Sequence, residues 1–292
     1  MKKPVDQKVD GLIRYKFELA YDGTNYQGWA KQPRLRTVAG ELLRCFTIIF
    51  GKSKDDFFMR VAGRTDAGVH ASQQFFHVDL SPQQLKRLGR NGDLVLKLNN
   101  LLDPDVRIYS AEVAPAGYDA RFSATHRRYR YRIADGPATK DPLKARYTLW
   151  INHELDMKAM QDAAQEFIGL QDFISFCRPR EVGTTIRNLK RVKISRNPAE
   201  AGVIEFELLA DAFCHNMVRS VVGALKAVGE GKVDRAGIRA ALDSKRRAGK
   251  FKVLEPQGLT LVEIGYPAAS QLGAQAEMTQ RLRTEGDLED DN

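Results

Sequence analysis

The residues best suited to chemistry lie in a short loop, residues 63–70, with the sequence GRTDAGVH. Arg64 and Asp66 are two positions apart, so their side chains point to the same side if the backbone is extended. A nearby guanidinium keeps a carboxylate ionised, which suits a nucleophile, and the flanking glycines let a ligand approach the backbone closely. The same residues also fit a structural Arg–Asp ion pair that closes the loop, and the pattern alone favours this second interpretation.

A second segment, residues 128–132, combines basic and aromatic residues on one predicted strand. With a period of two, one face of the strand carries Arg128, Arg130 and Arg132, and the other carries Tyr129, Tyr131 and Ile133. An arginine face on a sheet can lie along a nucleic acid backbone. A solvated strand face has the same composition, so both interpretations stay open.

The adjacent Cys214 and His215 raise the question of a metal site or a cysteine nucleophile. Neighbouring residues on a strand point in opposite directions, and no second pair has the spacing of metal ligands. A packed cysteine beside a structural histidine is therefore favoured, and no metal is expected. The other cysteines, Cys45 and Cys177, form no C-x-x-C pair with Cys214, and the odd total of three favours a reducing, cytoplasmic setting.

The loop at residues 63–70 must be positioned by neighbouring elements. A strand at 58–62 leads directly into it, and a strand at 15–21 alternates apolar and polar residues before the turn residues 22–25. Helices are predicted at 37–50, 82–88, 157–168 and 216–228, and further strands at 75–80, 129–134, 186–194, 203–209 and 259–264. Strands and helices interspersed in this way predict an α+β fold.

The chain shows a sign of internal duplication. The strand at 129–134, followed by Asp135 and Gly136, repeats with one residue deleted the pattern of the strand at 15–21, followed by Asp22 and Gly23. This indicates two similar halves. Two unrelated strand–turn units would give the same pattern and remain the alternative.

The charge is unevenly distributed along the 292 residues, which carry a net charge of +9. The last 22 residues hold two arginines and six acidic residues, so the remainder is more basic than the total. A basic body favours a polyanionic partner such as RNA or DNA. The N-terminus lacks the apolar region of a secretory signal, and no apolar run is long enough to span a membrane.

These features divide the chain into four parts. Residues 1–11 form a basic N-terminal extension, 12–115 an N-terminal half with the loop at 63–70, 116–267 a C-terminal half, and 268–292 a disordered acidic tail.

Five ordered motifs resemble those of the TruA-type tRNA pseudouridine synthases. They are YDGTNYQGW at 21–29, GRTDAGVH at 63–70, RFSATHRRYRY at 121–131, AFCHNMVR at 212–219 and GLTL at 258–261. Together they extend over most of the chain, from about residue 17 to residue 266. Five motifs in the family's order are far more specific than any one of them.

The resemblance implies a fold, a reaction and a site. The fold would have two similar α+β halves sharing a continuous, mainly antiparallel sheet flanked by helices. The enzyme would isomerise uridine to pseudouridine at positions 38–40, on the 3′ side of the tRNA anticodon stem-loop, as a cytoplasmic homodimer without a cofactor. Asp66 would be the catalytic nucleophile, Tyr129 would contact the substrate, Arg64 would displace the target base, and Arg219 would lie near the catalytic carboxylate.

Two other functions fit parts of the sequence. A non-catalytic tRNA-binding or chaperone protein would explain the basic charge but not the Arg64 and Asp66 pattern between glycines. A glycosidase acting on nucleic acid would use one carboxylate similarly and release free base. Analysis of the reaction product separates all three.

Overall fold

The computed structural model describes residues 11–51, 57–89, 92–136, 140–178, 183–246, 251–281, 283–284 and 286–289. Its strands are β1 (Ile13–Tyr21), β2 (Met59–Val61), β3 (His70–Leu80), β4 (Val106–Val113), β5 (His126–Ala134), β6 (Leu149–Trp150), β7 (Gly169–Asp172), β8 (Ile186–Asn197), β9 (Val203–Ala210) and β10 (Leu259–Gly265). Its α-helices are α1 (Val38–Phe50), α2 (Pro82–Lys86), α3 (Leu94–Leu101), α4 (Met157–Ala164), α5 (Met217–Gly229), α6 (Arg235–Asp243), α7 (Leu272–Gln280) and α8 (Gly286–Glu289).

The chain divides into two compact units. The first contains Met1–Thr125 and Leu261–Arg281, and the second contains His126–Thr260 and Leu282–Asn292. The sequence places the boundary between the halves ten residues earlier, after residue 115. The first unit thus also includes a segment from near the C-terminus.

In the first unit, β1 lies between β3 and β4 and is antiparallel to both, while β2 pairs with β3. The predicted alternation in β1 is confirmed, since Phe17, Leu19 and Tyr21 are buried on one face. Helix α1 begins after Thr37, whose hydroxyl accepts a hydrogen bond from the N–H of Gly40, as expected of an N-cap.

Aromatic residues fill the core beneath this sheet. The rings of Phe17 and Phe76 stack with their centroids 4.6 Å apart. Phe46 of α1 meets the Phe17 ring edge-on at 5.5 Å, and Trp29 lies 6.0 Å from Phe76. Phe76, with no exposed surface, lies at the centre of the cluster.

The second unit contains an antiparallel sheet in the order β5–β9–β8–β7, with the short strand β6 parallel to β5. Tyr131, Ile133, Phe206 and Leu208 are buried. Helix α5 buries the apolar face predicted from its sequence: Val218, Val221, Val222, Leu225 and Val228. The predicted fold class is confirmed: α+β, with a large, mainly antiparallel sheet flanked by helices.

Several elements were not expected from the sequence, namely α3, β4, β7 and α6. The structure also differs at the predicted disordered tail from residue 268, because α7 occupies Leu272–Gln280. Leu272 and Ala276, one helical turn apart, are buried there. Only two buried residues hold this otherwise polar segment, which explains why composition alone predicts disorder. The predicted N-terminal extension lies outside the described residues, except for Gly11.

None of the helices in the described ranges is both long and apolar enough to cross a membrane.

We expect Phe76→Ala to lower the free energy of unfolding by about 3–5 kcal/mol, because it removes a fully buried ring and leaves a cavity. Phe58→Ala is the matched control: Phe58 belongs to the same unit, but its side chain is 44% exposed. It should cost no more than about 1 kcal/mol. Urea unfolding of both variants measures the difference, and similar losses would contradict this description of the core.

Candidate active site

The loop at residues 63–70 in the first unit is held by hydrogen bonds to its backbone on both sides of Asp66. Before it, the carbonyl of Thr65 accepts a hydrogen bond from the N–H of Trp29 at 3.1 Å. After it, the N–H of Gly68 donates to the carbonyl of Tyr26 at 3.1 Å. Both partners belong to the segment at residues 21–29, so this segment fixes the backbone from which the Asp66 side chain projects.

Buried side chains add a second layer of support. The hydroxyls of Tyr21 and Thr65 are hydrogen-bonded at 2.7 Å, and the amide of Gln74 donates to the carbonyl of Gly63 at 2.7 Å and to the Tyr21 hydroxyl at 3.4 Å. Burial raises the pKa of Tyr21 to about 12, so its hydroxyl stays protonated at neutral pH and can donate to Thr65. Gln74 is fully buried, and Tyr21 and Thr65 nearly so.

Gly23 allows the two segments to approach each other closely. A Cβ atom at this position would lie 2.0 Å from the carbonyl oxygen of Val69, far inside contact distance. The N–H of Gly23 also donates to Nδ1 of His70 at 3.0 Å. Nδ1 of His70 also lies 3.1 Å from a carboxylate oxygen of Asp22, so Asp22 and Gly23 both contact this imidazole.

The side chains of Asp66 and Arg64 differ in their surroundings. Asp66 is partly exposed, and its carbonyl accepts a hydrogen bond from the N–H of Val69 at 3.2 Å, which closes a turn. Arg64 is exposed and makes no hydrogen bond or ion pair with the residues that the structure describes. The structural Arg–Asp pair favoured by the sequence pattern is therefore not formed, because backbone hydrogen bonds close this loop instead.

Tyr129 and Arg219 belong to the second unit. Tyr129 lies on β5 opposite Leu208 of β9, and only 7% of it is exposed. Its ring meets that of Phe213 edge-on, with centroids 5.1 Å apart. This arrangement fixes the plane of the Tyr129 ring.

Arg219 lies in the first turn of α5. Its guanidinium donates to the side-chain oxygen of Asn216 at 3.2 Å, and its carbonyl accepts from the N–H of Leu254. Nε of Arg219 is buried and has no hydrogen-bond partner among the described residues. Asn216 has φ +67°, in the left-handed region that asparagine tolerates better than most residues.

The structure corrects the prediction that Cys214 is a packed cysteine beside a structural histidine. The structure joins it to the buried Cys177 in a disulfide, with 5.8 Å between the two Cα atoms. Cys214 is thus not an isolated packed cysteine. The two cysteines are 37 residues apart, so no spacing motif could have revealed the pair.

The sequence identified Asp66 but not the residues that hold its loop. The sequence predicts Tyr21 only as part of a strand and Gly23 only as part of a turn, and Gln74 lies just before the strand predicted at 75–80. One signal was available for two of them, because Tyr21 and Gly23 lie inside the motif at 21–29. Gln74 gave none, since it lies outside every predicted element and motif.

Known proteins resemble this chain along nearly its whole length. A family model described as tRNA pseudouridine synthase matches residues 163–267. A tRNA pseudouridine synthase A from Leifsonia xyli is 46% identical over 288 residues, which cover 94% of this chain and 99% of that protein. The enzymes of the same name from Streptomyces griseus and Mycobacterium leprae are 44% and 40% identical, covering 96% and 97% of this chain and 97% and 99% of their own lengths.

These findings define a class first: the chain is an isomerase of the pseudouridine synthase type. More narrowly, it belongs to the tRNA pseudouridine synthase A family.

We expect Gly23→Ala to lower kcat/KM by about 100-fold or more, because the new Cβ forces the loop carrying Asp66 away from its position, and small misplacements of reacting groups cost that much. Gly136→Ala is the matched control. Gly136 follows β5 as Gly23 follows β1, yet a Cβ there would meet nothing within 4 Å. Kinetics and melting temperatures of both variants test this, and equal activity would show that the close approach does not position the loop.

Proposed function

We propose that this enzyme isomerises uridines on the 3′ side of the tRNA anticodon stem-loop, at positions 38–40, with Asp66 as the nucleophile. The observation that carries the proposal is the construction of the loop at 63–70. Its backbone is fixed on both sides of Asp66, and Asp66 itself is partly exposed. The target positions rest on the resemblance of the five motifs.

The chemistry suits a carboxylate. Pseudouridine formation breaks the bond between N1 of the base and C1′ of the ribose, turns the base, and joins C5 to C1′. The proton on C5 is lost and N1 gains one, so the reaction is an isomerisation without net oxidation. Positive charge develops at C1′ as the first bond breaks, as in glycoside hydrolysis. Asp66 can attack this carbon directly or stabilise its charge.

The target base must leave its stack before Asp66 can reach the ribose. We assign Arg64 to displacing the base, since it is exposed and its guanidinium makes no hydrogen bond or ion pair with the described residues. Tyr129 offers a ring for contact with the substrate. Arg219 completes the assignment with a positive charge that favours an ionised carboxylate.

A homodimer and a cytoplasmic location complete the proposal. Both follow from the resemblance. The mass of the purified protein in solution, measured by light scattering, tests the dimer.

We expect the wild-type protein to form pseudouridine in unmodified tRNA transcripts on the 3′ side of the anticodon arm, mapped at single-nucleotide resolution. Asp66→Asn and Asp66→Ala should lower the rate by about 10⁴-fold or more, as removal of a nucleophile does, while tRNA binding persists. Glu112→Gln, which removes a charge from an exposed residue of the same unit, should leave the rate unchanged.

Each of the other possible results would contradict a different part of the proposal. Binding without any product from the wild type would support a non-catalytic RNA-binding protein, and release of free uracil would support a glycosidase. Pseudouridine elsewhere in the tRNA would overturn only the target positions. An active Asp66→Asn variant would overturn the nucleophile.

A further inference from the structure

One face of the sheet in the second unit is strongly basic. The register of β5, β9 and β8 places side chains in three rows across these strands, which we call the basic sheet face. The rows are Arg128, Leu209 and Arg191; Arg130, Glu207 and Lys193; and Arg132, Glu205 and Ser195. Among these nine, five basic residues stand against two acidic ones, and Arg132 also donates a hydrogen bond to Glu200 at 2.9 Å.

The two faces of this sheet differ in burial. The intervening residues of the same strands are apolar and buried, among them Tyr131, Phe206 and Ile194. Helix α4 lies on that side, where the Gln161 side chain donates to the carbonyl of Ile194. On the basic sheet face, Arg191 and Lys193 are exposed, so this face is open along β8.

Glutamates on the central strand hold the arginines of β5 in place. Glu207 lies 3.5 Å from Arg128 and 3.6 Å from Arg130. Arg130 is also 3.8 Å from Glu205, so all its contacts with carboxylates are longer than a charge-assisted hydrogen bond. Its Nε has no hydrogen-bond acceptor among the described residues. The carboxylates thus orient Arg130 through long contacts, and 34% of its side chain remains exposed.

The structure points to a role for this surface: we propose that the basic sheet face binds the phosphodiester backbone of the RNA substrate. The inference rests on the proposed function and adds to it a binding surface built entirely from the second unit. Strands β5 and β8, which lie on either side of β9, would contact phosphates, and the glutamates of β9 would set the spacing of the positive charges.

The geometry favours phosphates over a protein partner. Alternate residues on one strand are about 6.6–6.8 Å apart, and β5 and β8 are separated by about 9.5 Å, so the cations form a grid. Planar guanidinium groups bind phosphate through paired hydrogen bonds. Leu209 is the one apolar side chain among the nine, whereas the centre of a protein interface is largely apolar.

The test is a charge reversal on β8, where both cations are exposed. We expect the double variant Arg191→Glu and Lys193→Glu to raise the Kd for an unmodified tRNA transcript by about 10-fold or more. The slope of log Kd against log salt should become shallower by about 1.5, as expected for the loss of two phosphate contacts. Filter binding at several salt concentrations measures both quantities.

The matched control is Lys158→Glu with Lys232→Glu, which makes the same charge change on exposed residues of the same unit, in α4 and after α5. It should change Kd less than two-fold. A melting temperature within a few degrees of wild type establishes that each variant is folded, and Arg191→Gln with Lys193→Gln should give a smaller loss in the same direction.

Equal losses in the test and control pairs would overturn the proposal, because only the overall charge would then matter. An unchanged Kd in the test pair would overturn it as well. Failure of the proposed function has a different signature: the wild type would form no pseudouridine, and the comparison of Kd values would still decide whether this face binds RNA.

Discussion

The lack of a side chain at Gly23 is the constraint on which the loop at residues 63–70 depends. It lets the segment at residues 21–29 lie against the backbone of residues 63–70, where a single methyl group would collide with the carbonyl of Val69. Hydrogen bonds from Trp29 and to Tyr26 then fix the loop before and after Asp66. Rigidity comes from the backbone and buried hydroxyls, and Asp66 itself is partly exposed.

Because the backbone and buried side chains hold the loop, Arg64 and Asp66 need not form an ion pair with each other. In many loops an Arg–Asp ion pair holds the two ends of the loop together, and both side chains then have a structural role. Here closure is provided by backbone hydrogen bonds and by the buried amide of Gln74. Arg64 is consequently left exposed, without a hydrogen bond or ion pair to the described residues.

The second unit uses its sheet in another way. Its strands alternate between an apolar face, buried with Tyr131 and Phe206, and a face of arginines and lysine separated by glutamates. Like charges at neighbouring positions on adjacent strands repel each other. Placing Glu205 and Glu207 on the middle strand relieves that repulsion and still leaves an excess of positive charge. Such an arrangement allows a stable fold and an anion-binding surface to coexist on the same strands.

Local patterns carried much of the information. Alternation in β1 and β5, the helical spacing in α5, and the motif containing Asp66 could all be predicted, because each depends on residues close together in the chain. Tertiary structure decided the rest. Cys177 and Cys214 meet across 37 residues, Leu272 and Ala276 order a segment whose composition predicts disorder, and Gln74 turns inward to support a loop. These outcomes depend on which distant surfaces meet in the folded chain, and a one-dimensional pattern does not contain that information.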